Sequence, residues 1–168
     1  VEDNNTASKN AIVSPDNKWA VSFAEHKVFD KIDINKKKSM VVSSSAHVAG
    51  DPTITLSFVK DADAYNSVIT DQQVALEYYN QEPALSEVYV SEKVTASTIN
   101  SHSAYSYIQQ YSDMSYGFAN TDYCTYVDLG DNQYLSIKIS SMVGLGVSNV
   151  LTEDYAQSIL KNIEITAM

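Results

Sequence analysis

Near the end of the chain the apolar positions fall at spacings of three and four. Tyr155, Ala156, Ile159, Leu160 and Ile163 form one stripe, with Gln157, Ser158, Lys161 and Asn162 on the opposite side. That period predicts an amphipathic helix. Its start is set by chemistry: the Thr152 hydroxyl can accept from free N–H groups of the first turn, and Glu153 and Asp154 place negative charge at the positive end of the dipole. After Ile163 the period drops to two, with Glu164 between Ile163 and Ile165, which suits an edge strand.

A second capped helix is expected over 70–81. Thr70 and Gln73 match a capping box, Ile69 and Val74 a hydrophobic staple, and Pro83 stops the helix soon after, leaving Val74, Ala75, Tyr78 and Tyr79 to pack. Elsewhere the pattern alternates. Trp19, Val21 and Phe23 make a half-buried first strand after the turn signal Pro15-Asp16-Asn17, and 31–34 a short second one. Segments 40–48 and 53–59 form a hairpin around Ala49-Gly50-Asp51-Pro52, with Ile54, Leu56 and Phe58 facing the core. Segments 88–94, 104–111, 123–129 and 134–142 read as an antiparallel meander, turned at Asn100-Ser101 and Gly130-Asp131-Asn132, where Asn and Gly tolerate positive φ. The stretch between Tyr111 and Tyr123 is expected to be a long loop. The class is α+β: an antiparallel β-sheet packed by two main helices, as one domain over 12–168 behind a disordered polar leader, 1–11.

Ile12-Val-Ser-Pro-Asp-Asn-Lys-Trp19, the central hairpins and Tyr155-Ala-Gln-Ser-Ile-Leu-Lys-Asn-Ile163 resemble the PsbP-like family over most of 12–165. The resemblance implies an α/β/α sandwich used mainly for non-catalytic work, as in extrinsic subunits of photosynthetic complexes and many exported bacterial lipoproteins. It transfers no catalytic residue.

Charge narrows the partners. All 11 positive side chains are Lys, and the formal net charge is −10. Without Arg, the planar fork that grips bases and phosphates is missing, which argues against nucleic acid and against anionic membranes. Lys36-Lys37-Lys38 is the only basic run, and it reads as a solvated turn between two strands. No apolar run approaches the roughly 20 residues of a membrane-spanning helix. One cysteine, Cys124, excludes an intrachain disulfide and a Cys-based metal cluster, and its aromatic, strand-like setting suggests a buried inert thiol. This composition is compatible with export from a Gram-positive bacterium, so the protein is expected outside the cell or on its surface, any signal peptide having been removed or left out.

Catalytic and metal-binding patterns fail on spacing. Asp61, Asp63, Asn66 and Asp71 do not match an EF-hand, which needs Gly where Asn66 stands and a bidentate acid where Gln72 stands. Asp122, Asp128 and Asp131 flank turns, and His26, His47 and His102 are scattered. Ser148 has no nucleophile elbow, and Gly144-Leu-Gly146 lacks a third glycine. No cofactor, metal site or catalytic residue is therefore expected.

Tyrosine stands out, with 12 in the chain. A period of two puts Tyr105, Tyr107, Gln109 and Tyr111 on one face, with Tyr116 close after. Solvated, that face offers stacking area and hydroxyls to a protein or sugar; otherwise the rings cap the core rim under the helices. The leading expectation is an exported or cell-surface-associated, non-enzymatic binding or scaffolding module whose partner is a protein or cell-envelope component. The alternative is a carbohydrate-acting or other hydrolase with a site assembled from distant Asp, Tyr and His residues.

Overall fold

The computed structural model describes residues 10–46, 51–60, 86–90, 94–113, 117–144 and 151–168. Along the chain lie β1 (Ala11–Val13), β2 (Trp19–Phe23), β3 (Lys31–Asn35), β4 (Ser39–Ser43), β5 (Thr53–Lys60), β6 (Ser86–Val90) and β7 (Thr95–Ile99). Then follow β8 (His102–Asp113), β9 (Phe118–Gly130), β10 (Gln133–Gly144), helix α1 (Glu153–Leu160) and β11 (Ile163–Ala167). Two antiparallel sheets result. The larger runs β3-β4-β5-β10-β9-β8-β6, with β7 also paired to β8; the smaller runs β1-β2-β11.

Alternation decides the faces. On β10 the odd positions Leu135, Ile137 and Ile139 are buried while Lys138 and Met142 are exposed, and the inward row continues through Ile54 and Leu56 of β5 and Met40 and Val42 of β4. Ile12, Val21, Phe23 and Ile163 come from the small sheet and Ala156, Ile159 and Leu160 from α1 to join the same cluster. The core is thus a layer between one face of the large sheet and a second layer made of three strands and a helix. Thr152 caps α1 as its position requires, accepting the Tyr155 N–H at Oγ1 (3.2 Å). Two side chains tie the layers: Asn100 Nδ2 donates to the Ile163 carbonyl (2.7 Å), and Gln157 Nε2 donates to the Tyr123 hydroxyl (2.5 Å).

This overturns the expected fold class. The chain is mostly β rather than an α+β sandwich built on two main helices: among the described residues there are two antiparallel sheets and one helix of eight residues. The helix expected over 70–81 lies outside the described residues. The expected long loop between Tyr111 and Tyr123 gives way to strand, because β8 runs on to Asp113 and β9 starts at Phe118, with Tyr111 opposite Asn120. A cross-strand ladder accommodates Ser, Asp and Asn that sequence pattern alone assigns to a loop. Trp19–Phe23 does not enter the main sheet; it is the centre of the small one, where β11 pairs with it in the register Ile165 to Val21. The stripe expected to end the helix at Ile163 is shared: α1 stops at Leu160 and Ile163 is buried as the first residue of β11.

Candidate functional site

Among the described residues, four hairpin or loop turns hold non-glycine residues with left-handed backbone. Asn17, Asn100, Ser101, Asp131 and Asn132 are of the short polar kind that tolerates positive φ, whereas Lys36 (φ 50°) and Lys37 (φ 56°) are not. These two lysines form the β3–β4 turn, closed by the Lys38 N–H donating to the Asn35 carbonyl (2.9 Å). Asn35 pairs with Ser39, so the connection has three residues, and within it Lys36 and Lys37 are the two central, positive-φ positions of a turn for which Asn-Gly is preferred; an ordinary L-residue is disfavoured there by about 1–2 kcal/mol. The Val13 N–H donates to the Lys37 carbonyl (2.9 Å), fixing the turn of the large sheet against the end of β1 in the small one.

Where the two sheets meet in this way, a cleft of about 550 Å³ opens. Lys36, Lys37 and Lys38 line it, together with Val13, Pro15, Phe58 and Met168. Phe58 ends the inward row of β5 whose earlier members, Ile54 and Leu56, are fully buried, so the cleft has an apolar floor continuous with the core. The end of β11 is held by the Met168 N–H donating to the Lys18 carbonyl (2.9 Å). The volume falls within the range of about 300–1,000 Å³ usual for small-molecule sites.

Acids near this region pair with groups other than its lysines: Asp33, the nearest in sequence to Lys36, lies 3.8 Å from Lys31 Nζ. Asp16 accepts from the Ser14 hydroxyl (2.7 Å), from Gln133 Nε2 and from the Lys18 N–H (3.1 Å). The Ser14 bond is the main cause that holds its carboxyl down at about 2; desolvation opposes it, and the Gln133 and Lys18 contacts assist. Asp131 pairs with Lys18 Nζ at 2.8 Å. Among the described residues, Lys36, Lys37 and Lys38 have no ion pair, so their charge stays uncompensated in a chain of net charge −10.

Of the tyrosines singled out by pattern, Tyr105 and Tyr107 lie on the opposite, outer face of the large sheet. Tyr105 and Tyr107 share that face as expected; Tyr105 is half-buried and faces Tyr126, while Tyr107 is only 7% exposed and packs with Cys124, Val94 and Tyr126. Tyr111 follows in register on β8, its side chain outside the described residues, as is all of Tyr116. Cys124 is buried, as its setting suggested.

Polar groups on the outer face are paired structurally. Asp122 accepts from Ser140 Oγ (2.5 Å) and Asn120 Nδ2 (2.9 Å), with Lys138 Nζ at 3.5 Å. Neither described histidine joins them. His26 Nδ1 accepts the Val28 N–H (3.0 Å), and His102, at the first position of β8, packs edge-on against Trp19 at 4.8 Å, away from Gln109, the residue opposite Asp122. Asp128 accepts the Gly130 N–H (2.8 Å) in its turn. His47, Ser148, Gly146 and the acids Asp61, Asp63 and Asp71 lie outside the described residues. Among those described, no three His, Cys, Asp or Glu side chains gather as a metal site, and no helix is long and apolar enough to cross a membrane.

No protein-family model matches the sequence, so none supports the PsbP-like resemblance, and no curated protein matches it either. Solved structures do match in fold. A protein from Bacteroides thetaiotaomicron is 12% identical with a TM-score of 0.46, covering 92% of this chain, which spans only 47% of that one. A Pseudomonas aeruginosa protein of unknown function, PA94, described as a putative regulator, is 13% identical with a TM-score of 0.31, over 66% of this chain and 81% of its own. LpqN, involved in cell envelope biogenesis of Mycobacterium tuberculosis, is 15% identical with a TM-score of 0.53, over 94% of this chain and 90% of its own. The chain therefore shares its fold with LpqN.

Proposed function

We propose that this chain is a non-catalytic binding module of the cell envelope, and that it holds an anionic ligand in the cleft under Lys36, Lys37 and Lys38. The observation that carries this reading is the lysine turn itself. Two residues that gain nothing from left-handed backbone occupy it, their charges unpaired among the described residues, above an apolar floor. Costly backbone retained at a cleft is a signature of function rather than of folding. The envelope setting is supported by the fold shared with LpqN, whose own role is in envelope biogenesis. Membership of the PsbP-like family belongs to the same proposal and rests on the two end motifs. The structural neighbours lend no support to a Gram-positive source.

No described constellation favours the hydrolase alternative. The paired Ser140 and Asp122 have no histidine beside them, and each described histidine is occupied elsewhere. The test is an amide NMR titration of the whole chain with a panel of anions: acetate, phosphate, acidic sugars and fatty carboxylates. Shifts concentrated at 13–18 and 36–38, with the bound compound recovered chemically unchanged, are expected. A panel that moves no cleft resonance, or a compound returned cleaved, overturns the reading.

A further inference from the structure

The cleft joins two kinds of surface that one small anion would not use together. On its rim stand three exposed ammonium groups; on its floor lie Val13, Phe58 and Met168, the last 46% exposed. Exposed ion pairs are weak in water, each contributing less than about a fivefold gain in affinity. The net charge of −10 also repels an approaching anion until it lies within about one Debye length of the lysines, roughly 8 Å at physiological salt. Charge at the rim can therefore select and orient a ligand but not hold it. Burial of methylene groups, in contrast, is worth about fourfold in affinity per carbon.

We infer that the ligand is a single-chain amphiphile with a carboxylate head, a fatty acid taken up as a monomer, its head at Lys36 to Lys38 and its tail along Phe58, Val13 and Met168. This rests on the cleft being the binding site, as proposed above, and adds the chemistry of the occupant. Lysine suits such a head. Its ammonium is a compact point charge that can donate to a carboxylate from several directions, and with no arginine in the chain recognition does not depend on a planar, two-pronged fork. A concave site bounded on both sides by sheet ends fits one chain, while the net charge of −10 on the chain as a whole opposes docking on an anionic bilayer.

The turn supplies an unusual test variant. Lys36→Asn with Lys37→Gly removes two charges and installs the residues those two positions of the turn prefer, so this chain is expected to fold at least as stably as the parent. Calorimetric titrations of both chains would use acetate, phosphate, hexanoate, octanoate and decanoate below its micelle concentration, decyltrimethylammonium, and phosphatidylglycerol vesicles. Affinity is expected to rise about 16-fold for each two methylenes from hexanoate to decanoate, with the cationic analogue at least tenfold weaker than decanoate. The turn variant should lose about 2- to 25-fold for decanoate at unchanged or higher melting temperature, and Met168→Ser should weaken decanoate more than hexanoate.

Acetate or phosphate binding as tightly as decanoate would leave the anion-binding cleft standing and overturn the amphiphile. Vesicle binding without decanoate binding would overturn monomer uptake in favour of a membrane surface. Absence of binding by every probe overturns both the inference and the cleft.

Discussion

Ser106 on β8 and Thr125 on β9 stand directly opposite one another on the inward face, their hydroxyls 2.8 Å apart and the residues 1% and 0% exposed. Ser106 also bonds the Tyr123 hydroxyl, which in turn accepts from Gln157 of α1 at 2.5 Å. Removing one partner of a buried hydrogen bond leaves the other desolvated, whereas removing both can be nearly neutral. Ser106→Ala deprives Thr125 of the partner it has in this arrangement and Tyr123 of one of two, so it should cost about 1–3 kcal/mol. Thr125→Val keeps the shape and leaves Ser106 bonded to Tyr123, so about 0.5–1.5 kcal/mol is expected. The double variant should cost less than Ser106→Ala alone and less than the two losses added, by about 1 kcal/mol or more of coupling. Urea melts with unchanged slope would measure this. In a chain of 168 residues the Ser106→Ala loss corresponds to a fall of roughly 2–12 °C in melting temperature. If the losses of the two single variants simply add in the double, the pair is not coupled and the reasoning about a shared buried network fails.

Other perturbations follow from the same geometry. The Asp16 carboxyl falls from 3.8 to about 2 on folding, so its contribution to stability is complete above about pH 4 and is lost as pH drops toward 2; the melting-temperature gap between the parent and Asp16→Asn should close over that window, and a constant gap would contradict the assignment. Ile137→Ala empties the middle of the inward row at a residue 1% exposed and should cost about 2–5 kcal/mol in denaturant melts; a loss under 1 kcal/mol would place the core elsewhere. Cys124, 9% exposed under Tyr107, should react with an aromatic disulfide reagent far more slowly in buffer than in denaturant, and equal rates would mean that this cluster is open.

What the sequence disclosed, and what it hid, divides along local and non-local lines. The Thr152 cap, the Asn100-Ser101 and Gly130-Asp131-Asn132 turns, and the inward Ile54 and Leu56 are each specified within a few residues, and each is found in place. The partners of strands are not specified that way: nothing local says that Trp19–Phe23 will receive β11 instead of joining the large sheet, because both sheets offer the same alternating apolar face. The choice of a helix-and-sheet second layer follows from that one pairing. The candidate site lies at the same kind of junction. Lys36-Lys37-Lys38 reads locally as a solvated turn, and it is a turn; its meaning comes from Val13, Phe58 and Met168, drawn from three other strands or their ends. One signal was nevertheless present. The segment Asn35-Lys-Lys-Lys-Ser39 links two alternating runs by three residues, short enough to require a tight turn, yet offers neither Gly nor Asn at its centre, where the other tight turns among the described residues use Asn, Asp, Ser or Gly. Among the described turns this exception coincides with the rim of the cleft, which is where the proposed binding function places the ligand's anionic head.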